Sequence, residues 1–156
     1  AIAGLPAWYV EAQLNKFRDG ARGAHADDIE GLKMRPMART LLSKEEVQTV
    51  AARVEQMPAA HPPQTVGGDP GRGKGLYAPC AACHGANAEG QKDKSAPALT
   101  RSGDWYLMAQ LKKFKSGVRG TLPGDATGAQ MRPMVLTLID EQSMKDVIAY
   151  ITTLSP

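Results

Sequence analysis

The run Cys80-Ala81-Ala82-Cys83-His84 places two thiols and an imidazole within five residues. On one helical turn, that spacing sets the thiols to add to the two vinyl groups of a porphyrin. The adjacent histidine then lies under the ring and can bind iron from one face. C-x-x-C-H is the attachment signature of a c-type haem, so one covalently held haem and its iron are expected here. A zinc site would need about four ligands, and Cys80 and Cys83 are the only cysteines. A thioredoxin-like pair would want a strand–helix–strand setting, which the sequence does not offer. Both cysteines are consumed by the haem, leaving no disulfide and no free thiol.

A six-coordinate iron needs a ligand on its other face. His25 and His61 lie outside the segment around the motif, so His84 is that segment's one histidine. Met131 and Met134 are expected in the loop region between two helices, beyond the motif. A soft thioether stabilises reduced iron and raises the potential. One of the two is expected to ligate, Met131 ahead of Met134, while Met108 and Met144 read as core filling. His84 should donate its other ring N–H to a fixed acceptor. Pro97, with a carbonyl and no N–H, is the natural one.

The elements that must hold these groups are helical. Asp69-Pro70 reads as a cap followed by proline at the first helical position, opening a helix that runs through Gly73 and Tyr77 to the motif. Gly73 is expected to let another helix approach closely. Residues 85–100 have loop chemistry. Asp104 reads as the cap of a helix whose inward face carries Trp105, Met108, Leu111 and Phe114, with Gly117 ending it. Residues 121–128 read as loop. Asp140 or Glu141 starts a last helix with Met144, Val147, Ile148 and Ile151 inward. The fold class is all-α.

The chain also repeats itself. Shifted by 97 residues, Ala7–Met57 aligns without a gap on Asp104–Leu154, with 20 of 51 positions identical. Trp8-Tyr9 matches Trp105-Tyr106, and Met34-Arg35-Pro36-Met37 matches Met131-Arg132-Pro133-Met134. A unit this long is a domain duplication rather than a solenoid repeat. The first copy lacks everything equivalent to residues 69–97, the C-x-x-C-H included. The expected organisation is a partial domain over 1–58, a Pro/Gly-rich linker over 59–68 and a complete haem-binding domain over 69–156.

Aromatics make up 5 % of the chain, beside 16 glycines and 11 prolines. A haem would supply apolar core that so few large side chains cannot; domains below about 100 residues often lean on a cofactor. The net charge of +3 comes from residues 67–156, with eleven Lys/Arg against eight Asp/Glu, while residues 1–66 carry eight of each. That excess is too small for a nucleic-acid footprint. Lys112, Lys113, Lys115 and Arg119 could steer an acidic redox partner, although a solvated helix face is the plainer reading. No run of about 20 apolar residues occurs, so no membrane span is expected. The sequence opens without signal-peptide character, as mature chain.

With these residues in place, the chain resembles the class I c-type cytochromes, and more closely the dihaem cytochrome c4 group. The resemblance is carried by Gly73-Lys74-Gly75-Leu76-Tyr77 before the motif, Gly85 after it, Pro97-Ala98-Leu99, Tyr106-Leu107, Gln110-Leu111, Phe114, Gly117, Met131 and the Leu138–Tyr150 helix. It covers 69–156 and, through the repeat, 1–58. It implies the class I cytochrome fold, duplicated with the first copy incomplete, and Met131 as iron ligand. It also implies Pro97 as acceptor for His84, Trp105 or Tyr106 against the haem propionates, and Gly73 crossing Tyr150. Attachment of haem to C-x-x-C-H outside the bacterial inner membrane implies a periplasmic location. The departure is the first copy, which keeps Met34 but has no C-x-x-C-H. A chain shortened at its N-terminus, a second polypeptide supplying the missing segment, or a half-domain that lost its haem would each explain it.

The expected function is one-electron transfer by His/Met-ligated haem, without catalysis by this chain. Saturated iron leaves no open position for substrate. The alternative is the cytochrome subunit of a larger dehydrogenase or oxidase complex. A haem with a labile distal ligand is a third class. Amphipathic helices around Leu14/Phe17 and Val47/Val50/Val54 would lack their haem. Each apolar side chain left out is worth about 1.5–3 kcal/mol, so residues 1–58 are expected to pack on a partner chain, a second copy or a haem-bearing fragment.

Overall fold

The structure is a computed structural model and describes residues 2–59 and 63–154. Seven helices follow one another: α1 (Ala7–Asp19), α2 (Ile29–Arg39), α3 (Lys44–Glu55), α4 (Pro70–His84), α5 (Asp104–Ser116), α6 (Ala126–Leu136) and α7 (Glu141–Thr153). Among the described residues there is no strand, only an isolated bridge between Gln91 and Ala96 in the loop after α4. His61 lies outside the described residues.

Two apolar clusters organise the chain. One gathers Leu5 from the segment before α1 with Val10, Leu14 and Phe17 of α1 and Val47 and Val54 of α3. The other gathers Tyr77, Leu107, Met108, Met144, Val147 and Ile148 from α4, α5 and α7. Val10, Leu14 and Phe17 share one face of α1 because helical neighbours recur every three to four residues. Helices α1 and α5 both stop at a glycine in the left-handed region, Gly20 and Gly117, where a side chain would be strained.

Asp69 caps α4 through its carboxylate, accepting from the N–H groups of Gly71 and Arg72, with Pro70 at the first turn. Gly73 then allows α7 to seat directly on α4. A Cβ at position 73 would lie 1.9 Å from the Asp146 carbonyl oxygen and 2.9 Å from Tyr150 Cβ. The Tyr77 and Tyr150 rings pack at 5.5 Å beside this crossing. Asp140 caps α7 in a reciprocal pair with Ser143.

The structure corrects four expectations. Asp104 does not cap α5; Gly103 holds that position. Instead the Asp104 carboxylate accepts from the Thr65 and Val66 N–H groups and the Thr65 hydroxyl, pinning the end of the 59–68 segment onto α5. Trp105 is 52 % exposed, and the buried stripe of α5 is Leu107, Met108, Gln110 and Phe114. The three-residue spacing drifts against the 3.6-residue turn, so Trp105 and Phe114, nine residues apart, end on opposite faces. Met131 and Met134 lie on helix α6, not in a loop, with Pro133 inside it. Finally, Leu14, Phe17, Val47 and Val54 are buried in their own cluster, and of the five residues expected to lack cover only Val50 is exposed.

Candidate haem site

Helix α4 ends in the motif. Cys80 is half-buried and Cys83 exposed, three residues apart on one turn. Burial pushes the Cys80 thiol above its ordinary value. His84 is buried, and its Nδ1–H donates to the Pro97 carbonyl at 2.8 Å. That bond fixes the tautomer and leaves Nε2 with its lone pair. Burial holds the imidazole below its ordinary pKa, with the Pro97 bond opposing, so it is neutral at pH 7 and competent to bind metal. Gly85 and Gly90, both in the left-handed region, turn the chain so that residues 96–98 come back over the histidine.

A cavity of about 160 Å³ opens beside this turn, lined mainly by apolar groups. Cys80, Cys83, His84 and Pro97 form one wall. Met131 and Met134 line it from α6, and Phe114, Leu138, Val147 and Ile148 close it from α5, α7 and the turn before α7. Tyr106 reaches the cavity; Trp105 does not. Both candidate thioethers, both thiols and the histidine therefore share one apolar cavity, and the donor set suits a covalently held haem iron. A buried polar atom also fits the group. Arg119 lines the cavity, is 8 % exposed, and its Nε has no hydrogen-bond partner.

The first half of the chain reaches this cavity as well, through Tyr9 and Gln13 of α1. The contact between the halves is nearly two-fold. Lys16 pairs with Asp125 at 2.5 Å, and its repeat equivalent Lys113 pairs with Asp28 at 2.6 Å. Arg22 donates to Gln13 and across to Gln110; Arg119 donates to Gln110 and across to Gln13. Each guanidinium stacks at 4.6 Å on the phenylalanine of its own half, Phe17 or Phe114. Tyr9/Tyr106, Gln13/Gln110, Lys16/Lys113, Arg22/Arg119 and Asp28/Asp125 are all identities of the 97-residue repeat. Sequence reasoning counted these identities without seeing where they met. Their polarity was the signal, because core helices alone would not demand the same tyrosine, glutamine and arginine twice.

Of the basic residues proposed to face a partner, Lys113, Lys115 and Arg119 are engaged inside the fold, while Lys112 stays exposed in a surface ion pair. Lys112 pairs with Glu141 at 2.8 Å, Lys113 with Asp28 and Glu30, Lys115 donates to the Leu138 carbonyl, and Arg119 is buried. His25 sits in the loop before α2, its Nδ1 accepting from the Asp27 N–H.

The cytochrome c family pattern matches residues 71–155. The electron acceptor of thiosulfate dehydrogenase from Stutzerimonas stutzeri is 34 % identical over 144 residues, which cover 85 % of this chain and 62 % of that protein. Cytochrome c4 of Azotobacter vinelandii is 32 % identical over 93 residues, covering 57 % of this chain and 42 % of its own length. A solved structure of cytochrome c4 from Acidithiobacillus ferrooxidans superposes with a TM-score of 0.72 at 25 % identity, over 98 % of this chain and 88 % of that one. The chain thus spans under two thirds of the first of these curated relatives. Family match, helical fold and cavity agree: the chain belongs to the cytochrome c family, similar to cytochrome c4, with one C-x-x-C-H for one covalently held haem c.

Proposed function

We propose that Cys80 and Cys83 form the two thioethers, that His84 and Met131 are the axial ligands, and that the chain is a periplasmic one-electron carrier. The observation that carries this reading is His84, buried at the cavity with Nδ1 committed to Pro97 while two methionines line the same cavity from α6. When bound, the haem supplies reversible Fe(III)/Fe(II) cycling. The chain fixes the imidazole through Pro97, excludes water with Phe114, Val147 and Ile148, and offers a soft sulfur that favours the reduced metal. With His84 and Met131 both holding the iron, substrate would find no place on the metal. Among the described residues no helix is long and apolar enough to cross a membrane.

The test is production in a host that matures c-type cytochromes, followed by spectroscopy. One haem per chain should survive denaturation. Met131→Ala should abolish the near-infrared sulfur-to-iron band and lower the potential, while Met134→Ala should keep the band. The reverse pattern would move the ligand to Met134.

A second reading concerns the partner. The relative from Stutzerimonas stutzeri is named for accepting electrons from thiosulfate dehydrogenase, and we infer a similar place for this chain, as the cytochrome subunit or acceptor of a dehydrogenase. Residues 1–58 read as a partial cytochrome c domain, joined by 59–68 to the haem domain of 69–156. The exposed Leu42, Val50 and Met57 around α3 offer a surface for a partner chain, a second copy or a haem-bearing segment. Reduction of the purified protein by a thiosulfate-oxidising dehydrogenase within milliseconds of mixing would support the acceptor role; no reduction would favour an independent carrier.

A further inference from the structure

The segment that leaves His84 and returns with Pro97 has little core of its own. Its buried residues are Gly85, Ala88 and Ala96, all small. Backbone bonds shape it: the Gly90 N–H donates to the His84 carbonyl at 2.7 Å, and Gln91 and Ala96 exchange two bonds at 2.8 and 3.0 Å. Among the described residues, the buried side chain that bonds to this segment, apart from His84 itself, is Tyr77 of α4. Tyr77 is 2 % exposed, and its hydroxyl donates to the Gly85 carbonyl at 2.7 Å. The same carbonyl accepts from the Ala88 N–H at 3.2 Å. Ala88 is fully buried and sits in the left-handed region at φ +57°. A residue with a side chain keeps that conformation only where its neighbours hold it.

We propose that Tyr77 is a positioning residue for the histidine: its hydroxyl latches the turn at Gly85 and Ala88 and thereby sets the Pro97 carbonyl against His84 Nδ1. This rests on the haem reading above. The route is short. Gly85 follows the histidine directly, and the Ala88 carbonyl accepts from the Leu99 N–H at 2.8 Å, two residues beyond Pro97. The Tyr77 bond therefore fixes the outgoing and the returning strand of the turn relative to the helix that carries the motif.

Packing alone does not ask for the oxygen. The Tyr77 ring lies in the apolar cluster beside the Tyr150 ring, a place that phenylalanine would fill equally well. A buried hydroxyl costs stability unless it is bonded, and this one is spent on the residue next to His84. Burial holds the phenol well above its ordinary pKa, with the Glu89 carboxylate adding to that, so the group stays protonated as a donor. A close Nδ1–H···O bond makes the imidazole a stronger ligand and favours Fe(III); a looser one favours Fe(II).

The experiment compares haem-loaded wild type, Tyr77→Phe and Tyr150→Phe by potentiometry and by proton NMR of the reduced protein, which follows exchange of the His84 ring N–H with deuterium. Tyr77→Phe should shift the Fe(III)/Fe(II) equilibrium about threefold toward Fe(II), a rise of about 28 mV at about 59 mV per tenfold change. It should also speed the ring N–H exchange about tenfold, as the local opening becomes easier. Tyr150→Phe takes a hydroxyl from the other ring of the same pair and should match wild type in both readouts. If Tyr77→Phe loses stability to urea yet keeps the wild-type potential and exchange rate, or if Tyr150→Phe shifts them equally, the positioning role is overturned while the haem reading stands. A wild-type protein without covalent haem would instead overturn the haem reading, and this proposal with it.

Discussion

Helices α3 and α7 occupy the same place in the two copies of the repeat, yet their surroundings differ. Val147 on α7 is 2 % exposed, while its equivalent Val50 on α3 is 37 % exposed. Helix α7 is covered by α4, seated through Gly73, and faces the cavity; α3 has α1 behind it and no counterpart of α4. The buried faces nevertheless agree, Val47 with Met144, Ala51 with Ile148 and Val54 with Ile151. The two halves therefore keep a common interior and a common mutual contact, and differ where a motif-bearing helix lies. The haem site depends on that one helix crossing, and the contact between halves depends on polar side chains that the repeat preserves in both copies.

The sharpest way to break the asymmetry is at the crossing itself. Gly73→Val puts carbon where the Asp146 carbonyl and Tyr150 Cβ already stand. Neither backbone can yield cheaply, so we expect a loss of about 3 kcal/mol in denaturant unfolding together with a disturbed haem spectrum. A loss under about 1 kcal/mol would mean that α4 does not rest on α7 in this way.

A gentler pair of variants measures the comparison directly. Val147→Ala should cost about 2 kcal/mol, because it deletes two methyl groups from a filled core. Val50→Ala should cost less than about 0.5 kcal/mol, as surface substitutions do. If the two losses in the working protein are equal, then something covers α3 there as α4 covers α7, and the partial-domain reading gains its missing occupant.

What could be read from sequence was whatever local chemistry decides. The C-x-x-C-H turn, the Asp69-Pro70 start, the Gly117 stop, the Asp140 cap and the Gly73 crossing each depend on a few adjacent residues. Pro97 as acceptor for His84 also followed, because a carbonyl without its own N–H was needed at short range. The errors arose where tertiary contacts override a local rule. Asp104 carries every mark of a cap, but its carboxylate is spent on the backbone of Thr65 and Val66. Trp105 joined a three-residue pattern that the helical turn cannot hold on one face. Met131 and Met134 were expected in a loop, while α6 carries both and continues through Pro133. The contact between halves was illegible because its partners are about 85–110 residues apart, and a residue identity says nothing of who faces whom until the helices are packed.

Acid sets the last comparison, between Asp146 and its repeat equivalent Thr49. Asp146 accepts from the Asp69 N–H, from Gln142 and from two nitrogens of Arg72, tying α7 to the start of α4. The Arg72 hydrogen bonds, then the Asp69 N–H, hold its carboxyl well below the usual carboxylate range. Thr49 only returns its hydroxyl to the Glu45 carbonyl one turn back. A depressed native pKa means that the unfolded chain takes up the proton first as pH falls. The Asp146 contribution is therefore complete above about pH 4, the ordinary aspartate value, and is lost progressively below it. Wild type should be more stable than Asp146→Asn at neutral pH, and the gap should close on acidification, as read from urea midpoints at a series of pH values. Thr49→Asn should run parallel to wild type throughout. A gap that persists undiminished well below pH 4 would show that Asp146 acts through shape and neutral hydrogen bonds, and the α4–α7 crossing would then rest on Gly73 packing rather than on charge.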